Sequence, residues 1–474
     1  MAKKTDYDLC IIGGGAAGLV TAAGAAALGA KVILIEKHRL GGDSLYTGCV
    51  PSKTLIHSAT VANTIKTAER FGLSTKLNSI NQNAVMQRIA EVIKTIEPND
   101  SPERFRAMGV EVVFAEAQFI DKERLLVEDR EITSRKFVVA TGSRPFAPPI
   151  SGLDSIDYFT NETIFNITEN IPHLIVIGSG AIGCEMAQSF ARLGSNVSLV
   201  SNTGILPRED ADMSAVVEQQ FTNDGIDLHL NSNISSVEKT DLGLKVYLDD
   251  STVVEGTHLL VATGRRANIE SLGLDKAGVG IENGRLVLDA RLRTTNKKVF
   301  ACGDVAGPYL FTHMAEHQAG IVLRNTLFHL PAKAQNNNIP WCTFTAPELA
   351  RVGLSEEEAQ QSGIEHSVYT FPFSDLDRGI TDGETNGMAK VITSPKGKLL
   401  GACIVGPHAG ELIAEYILAI SQGLNISALS NTIHIYPTLA QINRRVADQR
   451  MKESLTPNRK KWIKRLFGLR GEQS

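Results

Sequence analysis

The sequence contains few aromatic residues, few cysteines and no strong excess of charge. Aromatic residues make up 6% of the 474 positions, with only two Trp, and the six cysteines form no CxxC pair. This spacing argues against a zinc site and a disulfide scaffold, so no metal is expected and a reducing cytoplasm is favoured. The formal net charge of −4 argues against a nucleic-acid-binding role.

The sequence also shows no clear membrane-spanning or targeting segment. An apolar run over residues 9–35 is interrupted by three consecutive glycines and is rich in Ala and Gly rather than Leu. A strand, a glycine turn and a buried helix explain this run better than a signal peptide or a membrane span. The chain length predicts about three domains.

This apolar run contains a dinucleotide-binding motif. Gly13, Gly15 and Gly18 follow a predicted strand and open a predicted helix. The first glycine permits a tight turn, the second lets the backbone approach a pyrophosphate, and the third allows close helix packing. Glu36 ends the next strand, where a carboxylate can bind a ribose 2′-hydroxyl. Strand context and acid together predict a bound dinucleotide.

The same pattern occurs a second time. Gly178, Gly180 and Gly183 again lie between a strand and a helix, and the next strand ends at Ser201. Two such units predict two dinucleotides, one bound tightly and one exchanged. Because Ser201 replaces the acid that would repel a 2′-phosphate, the second site leans toward NADPH, although the nearest arginine, Arg208, does not adjoin it.

The segment GGDSLYTGCVPSK, residues 41–53, resembles the redox-active segment of the flavoprotein pyridine nucleotide-disulfide oxidoreductases. That family includes dihydrolipoamide dehydrogenase, glutathione reductase and mercuric reductase, and has two cysteines before a Pro-Ser-Lys. Here Cys49 holds the second cysteine position and Ser44 holds the first. A helix that begins near Cys49 would stabilise its thiolate through exposed N–H groups. Ser44 can form no disulfide and cannot act as an interchange thiol.

Three shorter segments extend the resemblance over about residues 6–450. Residues 140–145 resemble the exit from the FAD domain, residues 262–265 the return from the nicotinamide domain, and residues 301–304 the segment that binds the ribityl chain. The resemblance implies FAD at the first glycine motif and NAD(P)H at the second. The implied cofactor-binding residues are Gly13, Gly15, Gly18, Glu36, Lys37, Gly42, Asp43, Lys53, Thr141, Gly142, Ser143 and Asp304, together with Gly178, Gly180, Gly183, Ser201 and Gly264.

The resemblance also implies a set of catalytic residues. Lys53 and Glu185 occupy the positions of a lysine and a glutamate that pair near flavin N5 in the family. A cation there favours the negative charge that develops on the reduced isoalloxazine. The implied set comprises Cys49, Ser44, Lys53, Glu185, Tyr436 and Gln441.

Residues 433–441 resemble the segment that in the family supplies a catalytic histidine before a proline and a glutamate after it. Tyr436 and Gln441 hold these positions, and His434 lies two residues earlier. A phenol with a pKa near ~10 is a poor base, but it can donate a hydrogen bond or help to ligate an acceptor. The replacement of the histidine and the glutamate argues against ordinary lipoamide turnover. A tyrosine in this region resembles the mercuric reductases. The absence of cysteine after Cys403 argues against their C-terminal cysteine-pair route.

The implied fold is α/β, with two Rossmann-like dinucleotide-binding domains for FAD and NAD(P) and a C-terminal α+β dimerisation domain. By analogy the protein forms a homodimer with shared active sites. The expected FAD domain has two parts, residues 1–145 and residues 266–338, with the NAD(P) domain at residues 146–265 between them. The dimerisation domain is expected at residues 339–452 and a basic tail at residues 453–474.

The basic tail carries a pattern of its own. Residues 459–470 alternate cations with large apolar residues at near-helical spacing. Three alternatives are open: a helix on an anionic membrane surface, a helix packed on its own dimer, or a disordered basic end. The first would make the protein peripheral at a membrane.

The resemblance implies an FAD-dependent NAD(P)H oxidoreductase. Hydride would pass from nicotinamide to flavin, and then through Cys49 and a 44–49 disulfide, if residue 44 is natively cysteine, to a disulfide or thiol-reactive acceptor. Ser44 is either a cysteine replaced for study or a natural serine. In the second case the alternative is direct reduction of a quinone or metal ion by the flavin. A non-catalytic flavoprotein interaction subunit is the remaining alternative.

Overall fold

The computed structural model describes residues 5–328, 330–335 and 337–471. The chain forms two compact units. The first comprises the described residues of Met1–Asn202 and Ile226–Asn336, and the second those of Thr203–Gly225 and Asn337–Ser474. The second unit is therefore discontinuous in sequence. The predicted domain ranges include positions 1–4, 329, 336 and 472–474, which lie outside the described residues.

The strands of the first unit build both dinucleotide-binding sheets and the smaller sheets beside them. These strands are β1 (Tyr7–Ile12), β2 (Val32–Glu36), β3 (Val110–Phe114), β4 (Ala117–Phe119), β5 (Arg124–Val127), β6 (Arg130–Val139), β7 (Ser143–Pro145), β8 (His173–Ile177), β9 (Asn196–Val200), β10 (Asp227–His229), β11 (Ile234–Thr240), β12 (Gly243–Leu248), β13 (Val253–Gly256), β14 (His258–Val261), β15 (Arg265–Ala267), β16 (Ile281–Glu282), β17 (Arg285–Leu286) and β18 (Val299–Ala301). The strands of the second unit are β19 (Trp341–Thr343), β20 (Glu348–Gly353), β21 (Ser367–Pro372), β22 (Met388–Thr393) and β23 (Leu399–Gly406).

The helices of the first unit are α1 (Ala16–Ala27), α2 (Gly42–Tyr46), α3 (Cys49–Lys66), α4 (Gln82–Ile96), α5 (Pro102–Ala107), α6 (Ala181–Arg192) and α8 (Thr312–Thr326). Those of the second unit are α7 (Ala211–Asn223), α9 (Glu356–Gln361), α10 (Asp377–Asp382), α11 (Ala409–Leu412), α12 (Ala414–Ser421), α13 (Ser427–Asn431), α14 (Gln441–Ser454) and α15 (Pro457–Phe467). Short 3-10 turns occur at Ala68–Phe71, Glu97–Asp100, Leu153–Ser155, Ile164–Asn166, Asp304–Ala306 and Phe373–Asp375.

The largest sheet of the first unit has seven strands in the order β3-β2-β1-β6-β5-β4, with β18 also paired to β6. Its central strands β3, β2, β1, β6 and β18 are parallel. Parallel strands need a crossover, and α1 supplies the one between β1 and β2. Strand β1 is buried along nearly its whole length, as the apolar sequence predicts for a strand covered on both faces.

A second parallel sheet has the order β10-β9-β8-β14, with α6 crossing from β8 to β9. An antiparallel sheet, β11-β12-β13, follows in the chain. Each glycine motif thus lies between the first strand of a parallel sheet and its crossover helix. The predicted α/β fold with two Rossmann-like sheets is confirmed.

The second unit is built on an antiparallel sheet in the order β19-β20-β23-β22-β21. Phe373 and Tyr416 are fully buried in its core. Helix α7 comes from the middle of the chain and packs on β20 and β23. This unit therefore has the α+β architecture that the sequence predicts for its C-terminal part.

A buried ion cluster attaches the start of α7 to this sheet. Lys390 on β22 is 2% exposed, and its Nζ lies 3.2 Å from Asp210 Oδ2, 3.0 Å from Asp212 Oδ2 and 2.5 Å from Glu356 Oε2. Burial lowers the pKa of Lys390, but the hydrogen bonds to Glu356 and Asp212 outweigh it and raise that pKa above its ordinary value. Loss of Lys390 would leave the buried carboxylate of Asp210 without its cation.

No helix in the described part of the chain is both long enough and apolar enough to cross a membrane.

Candidate active site

The first glycine turn is in close contact with the segment that precedes Cys49. A Cβ on Gly42 would lie 2.6 Å from the Cα of Gly15, so only glycine permits this approach. Glu36, at the end of β2, accepts a hydrogen bond from Gly14 N at 2.7 Å. The acid at the strand end and the open backbone of the turn therefore lie side by side, as a dinucleotide site requires.

The two glycine turns repeat one contact. A Cβ on Gly18 would lie 1.9 Å from Gly13 O, and a Cβ on Gly183 would lie 1.9 Å from Gly178 O. Both crossover helices therefore approach their strands as closely as the fingerprint predicts. At Gly180 a Cβ would meet nothing within 4 Å, so this point of the second turn is open to a ligand.

A polar cluster joins four separate segments of the first unit. Ser143 Oγ donates to Asp304 Oδ2 at 2.6 Å, and Arg265 Nε donates to Ser143 Oγ at 2.7 Å. Arg265 Nη2 also lies 3.3 Å from Asp43 Oδ2. Burial raises the pKa of Asp304, opposed by the Ser143 hydrogen bond and by Arg265. Sequence reasoning missed Arg265, although it directly follows the predicted Gly264.

Three further predicted cofactor residues lie on the chain segments that run between the two sheets, namely Thr141, Gly142 and Gly264. Thr141 Oγ1 donates to Asn268 O at 2.6 Å, and Asn268 N donates to Gly142 O at 3.0 Å. Gly264 directly precedes β15, which pairs with β7. Lys37 follows Glu36 and is exposed.

Cys49 is the first residue of α3, and Ser44 lies within the short helix α2. The hydroxyl of Thr312, the first residue of α8, contacts both side chains. Thr312 Oγ1 donates to Ser44 Oγ at 3.2 Å and lies 3.5 Å from Cys49 Sγ. Thr312 was not predicted, because no local motif marks it.

Cys49 is the exposed member of the six cysteines, all of which fall within the described residues. Cys342 is partly buried. The remaining cysteines are buried and therefore act as packing residues rather than nucleophiles: Cys10, Cys184, Cys302 and Cys403. Burial raises the thiol pKa of Cys10, Cys302 and Cys403.

Lys53 and Glu185 form an ion pair between α3 and α6. Lys53 Nζ lies 2.9 Å from Glu185 Oε2 and 3.2 Å from Oε1. The side chain of Glu185 is 5% exposed, whereas that of Lys53 is 37% exposed. The lysine therefore compensates a buried carboxylate and still presents its ammonium at an accessible surface.

The end of β9 carries a neutral hydroxyl pair. Ser179 Oγ, in the second glycine turn, donates to Ser201 Oγ at 2.8 Å. Both residues are buried, at 2% and 6% exposure. No carboxylate stands at this strand end, in contrast to Glu36 in the first sheet.

Tyr436 and Gln441 lie in the second unit and have different surroundings. Tyr436 is 62% exposed, and its hydroxyl donates to Asp377 Oδ2 at 3.0 Å. This hydrogen bond raises the pKa of Tyr436, so the phenol stays protonated near neutral pH. Gln441 is the first residue of α14 and is 9% exposed. Asp377 was not predicted from the sequence.

His434 forms a separate pair with a carboxylate in the same unit. Its Nε2 lies 3.0 Å from Glu415 Oε1, and its Nδ1 lies 3.0 Å from Thr432 O. Asn443 Nδ2 also donates to Glu415 Oε2 at 2.9 Å. Both ring nitrogens have partners and the side chain is 6% exposed, which favours a structural role over a catalytic one.

Two dinucleotide-type turns, a thiol at a helix N-terminus and a lysine–glutamate pair define a flavin- and nicotinamide-dependent oxidoreductase. The family model "Pyridine nucleotide-disulphide oxidoreductase" matches residues 7–319, and the model of the dimerisation domain of that family matches residues 339–446. The chain belongs to the pyridine nucleotide-disulphide oxidoreductase family.

Individual relatives agree with this assignment. The chain is 33% identical to a mercuric reductase of Streptomyces lividans, over 93% of this chain and 95% of that protein. It is 36% identical to a dihydrolipoyl dehydrogenase of Chlamydia trachomatis, over 92% and 95%. The Cu(II) complex of the HOCl-induced flavoprotein disulfide reductase RclA from Escherichia coli has a TM-score of 0.85 and 28% identity, over 93% of this chain and 99% of that chain.

The protein is thus an FAD-dependent NAD(P)H oxidoreductase, and the predicted enzyme class is confirmed. The residues present fit FAD. The backbone at Gly15 and Gly42 is free of side chains, and a partly buried carboxylate, Asp304, is available to accept hydrogen bonds from a polyol. Among the described residues, no group of three or more His, Cys, Asp or Glu is arranged to hold a metal ion.

Proposed function

We propose that this protein oxidises NADPH and delivers the electron pair through Cys49 to a disulfide or thiol-reactive acceptor, with a 44–49 disulfide when residue 44 is cysteine. The observation that carries the proposal is the shared contact of Thr312, 3.5 Å from Cys49 Sγ and 3.2 Å from Ser44 Oγ. Side chains 44 and 49 therefore converge on one point, as two sulfurs of a disulfide must.

Each side chain has a distinct part in this proposal. FAD, when bound, would take hydride from the nicotinamide and make the electron pair available to the acceptor. The N-terminus of α3 stabilises the thiolate of Cys49. Lys53 supplies positive charge where the reduced cofactor becomes negative, and Glu185 holds its ammonium in place.

The acceptor side differs from a lipoamide enzyme. We assign Tyr436, whose phenol stays protonated beside Asp377, a hydrogen-bonding role toward the acceptor, and give Gln441 no base function, since an amide does not titrate. The match to a dimerisation domain supports a homodimer in which this segment serves the partner's active site. A site of this kind favours acceptors that need a hydrogen bond rather than a general base.

Direct reduction of a quinone or metal ion by the flavin is a second candidate function. It is favoured by Ser44, whose hydroxyl cannot form a disulfide, and by similarity to a mercuric reductase and to a reductase crystallised as a Cu(II) complex. A non-catalytic interaction subunit is disfavoured by the intact Lys53–Glu185 pair.

The proposal is tested by anaerobic reduction of the flavin, followed by a series of acceptors. NADPH should bleach the visible flavin band, and a Cys49→Ala variant should still be reduced. The variant should lose at least about tenfold in rate with a thiol-reactive acceptor, because its nucleophile is gone. Cys342→Ala, which removes the partly buried thiol, is the matched control. Equal rates for Cys49→Ala and the unchanged protein would contradict the proposal and favour direct flavin reduction.

Preference for NADPH is part of the proposal and predicts the behaviour of Ser201→Glu. A carboxylate at the end of β9 would repel the 2′-phosphate, so the KM for NADPH should rise about 100-fold while that for NADH changes little. Stopped-flow reduction with each nucleotide measures the effect. Ser235→Glu, the same substitution on the separate antiparallel sheet, should change neither value. An unchanged NADPH/NADH ratio in Ser201→Glu would remove this strand end as the determinant.

We place the protein in the cytoplasm, because free cysteines suit a reducing compartment. Contact with a membrane surface through residues 459–470 belongs to the same proposal and would bring the enzyme to acceptors dissolved in lipid.

A further inference from the structure

Helix α15 is a well-delimited element near the end of the chain. Thr456 caps its N-terminus, accepting a hydrogen bond from Arg459 N at 3.3 Å, and Pro457 occupies the first turn. The helix ends at Gly468, which has a φ of 63°. These are the signals that start and stop a stable helix. Of the three alternatives for this segment, a disordered end is therefore disfavoured.

The helix has two opposite faces with the same internal spacing. Apolar residues occupy positions i, i+1, i+4 and i+5, and cations occupy an identical set displaced by two residues. Since two residues turn the chain by about 200°, the sets lie on opposite sides. The apolar set is Trp462, Ile463, Leu466 and Phe467, and the cationic set is Lys460, Lys461, Lys464 and Arg465.

Three of the four residues on the apolar face are exposed, and Ile463 is partly buried. Trp462 is 62% exposed, Leu466 58% and Phe467 67%, and Leu469 just beyond the helix is 54% exposed. Large apolar side chains collected on one exposed face mark a surface that contacts an apolar partner. A helix that merely packed on its own unit would have this face covered.

The charge around α15 indicates what kind of partner contacts this face. Residues 457–471 contain six cations and no acid, in a chain whose net charge is −4. The rest of the chain therefore carries about −10, so this segment is a local excess of positive charge in an otherwise acidic chain. Two copies of such a helix would repel each other, which argues against α15 pairing with α15 of a second copy.

We propose that α15 lies flat on an anionic phospholipid surface, with its apolar face in the boundary between headgroups and acyl chains. Trp favours this boundary, and long lysine side chains can keep their ammonium groups among lipid phosphates. A helix of 11 residues is too short to span the bilayer, so it binds in the plane. This inference concerns where the enzyme acts and is independent of its electron acceptor.

The test is flotation of the flavin-loaded protein with vesicles of phosphatidylcholine, with or without 30% phosphatidylglycerol. We expect at least tenfold more bound protein on the anionic vesicles, decreasing as salt is raised. Lys460→Glu with Lys464→Glu should lower this partition about 100-fold or more, at roughly fivefold for each unit of charge. Lys276→Glu with Lys396→Glu, the same change at exposed positions elsewhere, is the matched control and should bind normally.

A second variant tests the apolar face separately. Trp462→Ala with Phe467→Ala should weaken binding to anionic vesicles at least tenfold without altering charge. Brominated lipids should quench Trp462 fluorescence, and this quenching should vanish in Trp462→Phe. All variants should keep the rate of flavin reduction by NADPH, which shows that they are folded.

Three outcomes would overturn the inference. One is equal binding to neutral and anionic vesicles, and another is equal loss of binding in the control pair. The third is a change of oligomeric state in the α15 variants by light scattering, which would assign this face to a second copy of the chain.

Discussion

Ser44→Cys is expected to raise disulfide reductase turnover by about 10³-fold or more, because it restores a nucleophile whose absence prevents the reaction. The geometry is already suited to the change, since the Thr312 hydroxyl contacts the side chains at both positions 44 and 49. The new sulfur would attack the acceptor disulfide, and Cys49 would then displace the reduced acceptor by forming the 44–49 bond.

An anaerobic titration with NADPH measures this directly. The Ser44→Cys protein should take up one two-electron equivalent more than the unchanged protein and develop a long-wavelength band from the Cys49 thiolate. Ser58→Cys, which adds a thiol on helix α3 further along than Cys49, should do neither. Identical titrations and equal quinone reduction by the unchanged protein and the Ser44→Cys variant would instead identify a direct flavin reductase.

Lys53→Met is expected to slow flavin reduction by NADPH about 10²- to 10³-fold, the usual cost of removing one preorganised charge from a reacting centre. It should also lower the free energy of unfolding by about 2 kcal/mol, because the carboxylate of Glu185 is left buried without its partner. This figure is below that of a fully buried pair, since the Lys53 side chain is 37% exposed.

A double variant separates the two effects. Lys53→Met with Glu185→Gln removes the unpaired charge, so most of the stability should return while the rate stays low. Lys66→Met, on the same helix but bonded to a backbone carbonyl, controls for loss of a lysine from α3. Stopped-flow absorbance and chemical denaturation give the two readouts. A normal rate in Lys53→Met would show that its charge does not act on the flavin.

The dinucleotide folds could be predicted because their cause is local. Within a few residues of each turn, Gly18 and Gly183 must be glycine to avoid the carbonyl oxygens of Gly13 and Gly178. This steric constraint requires glycine at the same position of each turn, so the motif can be recognised in the sequence. The start of α3 at Cys49 follows in the same way from a glycine before it.

The polar contacts of the site could not be predicted, because their partners are distant in sequence. Arg265 reaches Asp43 and Ser143 across 222 and 122 positions, and Thr312 reaches Cys49 across 263. The residues next to Arg265 and Thr312 in the sequence do not indicate these contacts. The pairing of Lys53 with Glu185 was expected only through the family resemblance, and their catalytic roles, like those of Tyr436 and Gln441, remain predictions.

The buried ion cluster around Lys390 has a consequence for protein synthesis. Helix α7, with Asp210 at its start, leaves the ribosome more than 100 residues ahead of the sheet on which it packs. At about 5–20 residues per second, this separation corresponds to a delay on the order of ten seconds. During that time Met213, Val217 and Phe221 have no sheet to cover them. The nascent chain should therefore pass through a chaperone-binding stage that ends only when β22 and β23 have been made.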